Sequence, residues 1–149
     1  MSFYPAQFRD LIYRSLKAAD LPRKDAAIDL LMGTAAHESL LGTYLKQTVG
    51  PALGVYQMEP ATAEDVIEWT KEKYPGLFER LGYDPPEIVA MEYDLRFATI
   101  MARLNYLRMP GSIPETVVGQ AGYWKKYWNT SLGKGTVAQY IKNWQRYVD

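Results

Sequence analysis

Nine prolines and eleven glycines cut this chain into stretches of helical length, and between the cuts the apolar residues return at helical spacing. Pro5 opens a stretch in which Phe8, Leu11, Ile12 and Leu16 share one face. A second stretch starts around Pro22 and aligns Ile28, Leu31, Met32 and Ala35, with Gly42 expected just past its end. From Thr43 to Glu59, where Gly50, Pro51 and Gly54 fall, no period is sustained, which predicts an irregular loop or a short hairpin. Pro60 suits the first turn of a third helix carrying Val66, Ile67 and Trp69. Pro85 and Pro86 open a further segment. A strong helix is expected from Asp94 through Leu95, Ile100, Met101, Leu104 and Leu107, stopped by Pro110 and Gly111. Pro114 introduces Val117, Val118, Ala121, Trp124 and Trp128, and Gly133 to Gly135 precede a last helix with Val137, Tyr140, Ile141, Trp144 and Val148. The expectation is a mainly α, compact domain over residues 1–149, of about five to seven helices, with no repeat or composition shift to divide it.

Composition narrows the chemistry. The chain has 149 residues, 48% of them hydrophobic and 23% charged, which fits one domain with its own core. Lys plus Arg and Asp plus Glu are 17 each, so no overall field draws it to nucleic acid, and no apolar run is long enough to insert in a membrane. Arg9, Asp10, Arg14 and Lys17 break up the N-terminal segment, so no secretory leader is expected; action at a cell wall would need another route. With no cysteine and one histidine, His37, thiolate sites, cysteine nucleophiles and multi-histidine zinc sites are excluded. The 12 tyrosines and 4 tryptophans suit a binding surface as well as a core, since each pairs an apolar face with a polar edge, and their helical spacing favours the core.

One carboxylate stands out. Projected on the second helix, Glu38 falls in line with Ala35, Leu31 and Ile28. A carboxyl on an apolar face is desolvated, which raises its pKa toward that of a general acid working near neutrality. Alternatively, the helix frays there and the side chain reaches water. His37 points to another face, where a surface or hydrogen-bonded structural role is expected. Ser39 is placed either to bond nearby backbone or to orient a carboxylate.

His37-Glu38-Ser39, followed by Gly54-Val55-Tyr56-Gln57-Met58-Glu59-Pro60-Ala61-Thr62-Ala63, resembles the catalytic domain of lytic transglycosylases, related to goose-type lysozyme. Glu38 precedes Gly54 by sixteen residues, a spacing the family shares; Val55 and Tyr56 stand where it has Leu and Met. The likeness covers residues 25–70. Beyond it, Asp94-Leu95-Arg96 lacks the family's Pro and Asn, and Tyr127-Trp128-Asn129 stands where the family has a Tyr facing its catalytic Glu, leaving Tyr127 or Trp128 for that place. The Gly54 to Pro60 wording also looks like domains of tailed-phage virion or lysis proteins.

The resemblance implies a lysozyme-like helical fold and cleavage of the β-1,4 bond between N-acetylmuramic acid and N-acetylglucosamine in peptidoglycan strands, with Glu38 as general acid and base. It implies no metal or cofactor. Glycosidases of the common kind add a second carboxylate ~5–9.5 Å away; Glu59 and Glu64 are nearest in sequence and match no such position. The substrate's own N-acetyl oxygen can then stabilise the cation, and closure of a 1,6-anhydro ring is the family's outcome, with hydrolysis the close alternative. The resemblance makes Gln57 a substrate contact, against a loop-anchoring role of its amide. Tyr56 and Met58 alternate, so one should face a groove and one the core. Ser39, Tyr127, Trp128 and Asn129 complete the expected substrate-binding set. Lys125, Lys126 and Lys134 either meet acidic peptide stems or form a solvated face. The other class of function is a glycan-binding or structural virion module without cleavage, with virion or tail proteins as partners.

Overall fold

A computed structural model describes residues 1–47 and 49–149. Its helices are α1 (Pro5–Ala18), α2 (Asp25–Ser39), α3 (Pro60–Lys73), the single turn α4 (Leu77–Arg80), α5 (Leu95–Leu107), α6 (Val117–Trp124) and α7 (Val137–Tyr147). A 3₁₀ turn at Ile88–Glu92 precedes α5, and a π-helical turn at Lys125–Asn129 extends α6. The mainly α expectation is met. Pro5 and Pro60 both stand in the first turn of their helices, where a missing N–H costs nothing. Asp94, Thr116 and Thr136 cap α5, α6 and α7 by accepting from the backbone N–H three residues on.

The sequence pattern suggests one apolar face for α2, yet Leu30 to Ala36 are buried without interruption. α1, α5, α6 and α7 all pack against it, so it is the central helix and has no solvent side over two turns. Its fit to α7 depends on Gly33. A Cβ built there would lie 1.9 Å from the Tyr140 hydroxyl, and that ring is fully buried. Gly33→Ala is therefore expected to lower stability by about 1–3 kcal/mol or more, the usual cost of overpacking a close-packed core. A denaturant melt checks this, and an unchanged midpoint would mean that α7 stands off from α2.

α2 does not end on glycine. Leu40 and Leu41 both take left-handed backbone, at φ 52° each, and the Leu41 N–H closes on the Ala35 carbonyl at 3.0 Å. Beyond this turn, the expected hairpin is present in small: Lys46, Leu53 and Met58 form successive antiparallel bridges. Thr48, within that stretch, lies outside the described residues. Gly54 sits at φ 83°, and a Cβ on it would lie 2.1 Å from the Met91 carbonyl oxygen, so both its conformation and its close approach require glycine.

Two expectations for the packing are corrected. Val118 is exposed, because α6 turns only its Gln120, Ala121, Tyr123 and Trp124 inward. Trp69 is half-buried against Tyr74 rather than in the core, whereas Tyr140 and Trp144 are buried as their spacing predicts. The segment opened by Pro85 and Pro86 is the 3₁₀ turn.

Candidate active site

Glu38 lies in the last turn of α2, where the central helix emerges from its neighbours, and is half-buried. Its Oε2 accepts from the indole N–H of Trp124 at 3.1 Å, a contact spanning 86 positions of sequence. Burial raises the carboxyl from its ordinary range to about 7, against the smaller opposing pull of the Trp124 hydrogen bond. Both influences are local, and no second carboxylate figures among them.

Trp124 is the residue that sequence reasoning assigned to the core and left out of the site. It is fully buried, as its helical spacing predicts, but a buried indole also needs an acceptor, and Glu38 supplies it. Around it the ring of Tyr140 lies 5.2 Å away, and the ring of His37 meets it edge-on at 4.5 Å. His37 Nδ1 is 3.1 Å from Asn143 Nδ2, so the amide donates to a neutral ring. Burial, then the charge of Lys125, lowers the His37 pKa, which extends the neutral ring to pH values below the ordinary histidine range. The expected structural role of His37 is what the geometry provides: it braces Trp124. Gly135 permits this closeness, since a Cβ there would stand 2.7 Å from the Trp124 ring and 2.9 Å from His37 Nε2.

Below Glu38 by one helical turn, Thr34 gives its hydroxyl proton to the Leu30 carbonyl at 2.7 Å and accepts from Tyr106 at 2.8 Å. Tyr106 is fully enclosed, and burial, with the nearby charges of Tyr140 and Glu38, holds its phenol well above the ordinary range. It is a second residue the pattern did not single out. The available signal was polarity: Thr34 interrupts an apolar run, and a buried hydroxyl such as those of Thr34 and Tyr106 seeks a partner.

Three expected substrate contacts are corrected. Ser39 is fully buried, its hydroxyl donating to Ala35 O at 3.1 Å and accepting from Gly42 N at 2.9 Å, so it closes the helix end and presents no surface to a groove. Tyr56 is also buried, its hydroxyl 2.9 Å from that of Thr99, and Met58 is packed in the core. Alternation fails for Tyr56 and Met58 because Gln57 between them takes φ 50°; the chain turns there rather than extending, and both neighbours point inward. Gln57 is half-buried and donates its amide to Gly54 O at 2.8 Å, the loop-anchoring role.

Tyr127, Trp128 and Asn129 are half-buried in the π-helical turn. Neither aromatic makes the hydrogen bond to Glu38; Trp124, three positions before Tyr127, does. Trp128 lies 5.0 Å from the Tyr106 ring, and Tyr127 packs edge-on against Tyr123 at 4.7 Å. Asn129 accepts from Lys125 Nζ at 2.6 Å, and Lys125 also donates to Gly133 O, so this lysine staples the turn. Lys126 rests over the Tyr127 ring and Lys134 is exposed, as a solvated face would have them.

Comparison of the chain with protein-family models, with curated proteins and with solved structures returned no match. No helix among the described residues is long and apolar enough to cross a membrane.

Proposed function

We propose that this protein cleaves the β-1,4 bond between N-acetylmuramic acid and N-acetylglucosamine in peptidoglycan, with Glu38 as general acid and then base. The observation that carries the reading is a half-buried carboxyl at about 7, held by one indole N–H and with no second carboxylate influencing it. At neutral pH a large share of Glu38 is protonated and can give its proton to the leaving oxygen as the glycosidic bond breaks. Charge then develops at the sugar carbon. With no carboxylate among the described residues influencing Glu38, the substrate's N-acetyl oxygen bonds to that carbon, and Glu38, now ionised, takes the proton of the 6-hydroxyl as this oxygen replaces the acetamido group. The product on this reading is a 1,6-anhydro sugar, that of a lytic transglycosylase rather than a hydrolase, and the chemistry calls for no metal or cofactor. On this reading Trp128 and Asn129 border the glycan, and Gln57 shapes the loop beside it. The protein would act at the cell wall, reaching it during lysis or as part of a virion.

A second reading, a module that binds glycan without cutting it, draws on Ser39, Tyr56 and Met58 being sealed away from any substrate. Mass spectrometry of purified peptidoglycan after digestion separates the readings. Anhydro-muropeptides are the expected products. Reducing ends would make the enzyme a hydrolase, and glycan retention with no soluble product over a long digestion would leave only the binding module.

A further inference from the structure

A cavity of about 1010 Å³ opens beside Tyr106, between the start of α2, the end of α5 and the loop leading to α6. It is at the upper end of the ~300–1,000 Å³ typical of small-ligand pockets. Arg103 of α5 stands in its wall and is only 6% exposed, and a buried cation is costly unless something neutralises it. Its Nε donates to Pro22 O at 2.8 Å, but among the described residues it forms no salt bridge. Nη1 and Nη2 have no acceptor either, yet they are not sealed: the buried side-chain atoms left without a partner are Gln120 Oε1 and the Tyr123 hydroxyl. The terminal nitrogens of Arg103 therefore open on the cavity, whereas the Tyr123 hydroxyl does not. Burial lowers the Arg103 pKa, and the charges that act on the guanidinium are those of Tyr123 and Tyr74, with no carboxylate among them. Four guanidinium N–H groups thus lack both an acceptor and a counter-charge, which a ligand would supply.

The remaining charges set the sign of what can fill this space. Asp25 and Glu115 are exposed, where water and salt screen them, and Asp29 is already bonded to Arg9 at 2.7 Å. Arg23 and Lys24 add further positive charge to the same wall. Arg23 Nη1 bonds Leu21 O at 3.1 Å, so both arginines are tied to the backbone just ahead of α2. That helix starts without a side-chain cap, and the N–H groups of Asp25 and Ala26 have no acceptor among the described residues. Its positive end therefore adds to the buried guanidinium, and both call for an anion. Leu107, Met109 and Ile113, half-buried in the same wall, call for an apolar body attached to it. We propose that this cavity binds a small organic oxyanion, its charged oxygens on Nη1 and Nη2 of Arg103 and its apolar part along Leu107, Met109 and Ile113. A carboxylate and a phosphate monoester share that chemistry. The site does not rest on the reaction assigned to Glu38 and is tested without any cleavage assay.

Benzoate and phenyl phosphate, titrated into the full chain and followed by calorimetry and by NMR of backbone amides and arginine Nε–H groups, test this. At least one is expected to saturate with a Kd of about 1 mM or tighter and to move the Arg103 signal; the tighter of the two tells which oxyanion the site takes. Benzamide keeps the ring and loses the charge, and should bind at least about tenfold more weakly. Acetate and inorganic phosphate keep the charge and lose the ring, and should weaken by about as much. Arg103→Lys keeps the charge but not the planar pair of donors, and should weaken the better probe about tenfold. Because Arg103 also supports Pro22, Lys24→Glu serves as the second variant. Lys24 is exposed, and an acidic residue suits the start of a helix, so the melt should hold while affinity for the anion falls about threefold or more. The proposal is overturned if neither probe gives saturable shifts at Arg103 up to about 10 mM, if benzamide, acetate or inorganic phosphate binds as tightly as the better probe, or if the folded Lys24→Glu protein keeps its full affinity.

Discussion

Glu38→Gln is expected to stop glycan cleavage and, at the same time, to stabilise the protein at pH 7. The substitution keeps the shape and an oxygen that can accept from the Trp124 indole, so the geometry at 3.1 Å is preserved while the transferable proton is lost. Activity should fall by about 10²–10⁴-fold, the usual worth of a positioned acid-base group. The stability effect follows from linkage. Burial holds the folded carboxyl at about 7 against an ordinary 4.5, so the folded state prefers the protonated form. Stability from this group is fully present below about 4.5 and is lost as pH rises from there through about 7; above that, ionised Glu38 burdens the fold by roughly 2–3 kcal/mol, allowing for its partial access to water. Gln carries no such burden. Melts of the two proteins should coincide near pH 4 and separate in favour of the variant by pH 8. Cleavage by the wild type should likewise decline as pH rises through about 7, as the acid is titrated. Coincident melts at both pH values would show that Glu38 is solvated, whereas a stabilised variant of a protein that never released muropeptides would leave the pKa standing and end the enzymatic reading.

Trp124→Phe should move that pH limb upward. The indole N–H favours the ionised carboxylate, so its loss leaves burial unopposed and lifts the Glu38 pKa further above its ordinary range. Cleavage in the variant should persist to higher pH than in the wild type, although its maximum should fall if Trp124 also positions the acid. The ring loss should cost about 1–3 kcal/mol, for Trp124 fills the space between His37, Tyr140 and Gly135. Trp124→Ala is less informative: about 3–5 kcal/mol is a large part of the ~5–15 kcal/mol a domain of this kind has in total. A folded Trp124→Phe protein whose pH limb does not move would show that the indole packs beside Glu38 without tuning it.

Much of the helical order was legible in residue spacing. Pro5, Pro60 and the apolar residues of α5 and α7 mark helices because local backbone restriction and a 3.6-residue period act over only a few positions. Glu38 was legible in the same way, as a carboxylate in register with Ala35 and Leu31. The inward turn of Tyr56 and Met58 was not, since alternation presumes extended backbone and a non-glycine residue at φ 50° cannot be inferred from its neighbours. Ser39 was ambiguous for a related reason: the same hydroxyl serves a helix end or a ligand, and the left-handed Leu40 and Leu41 that commit it to the helix end are held by packing.

By itself, then, the sequence determined a chain of helices with a loop after the second, a carboxylate at the end of that helix, and the exclusion of cysteine chemistry and multi-histidine zinc sites. These follow from local sterics, periodicity and composition. Only the tertiary structure decided that Trp124 meets Glu38, that Tyr106 bonds Thr34, and that Arg103 and Tyr123 share a cavity wall. Each of those pairings joins separate helices, and which polar groups meet in a core is settled by how whole helices pack around α2, which no local pattern contains.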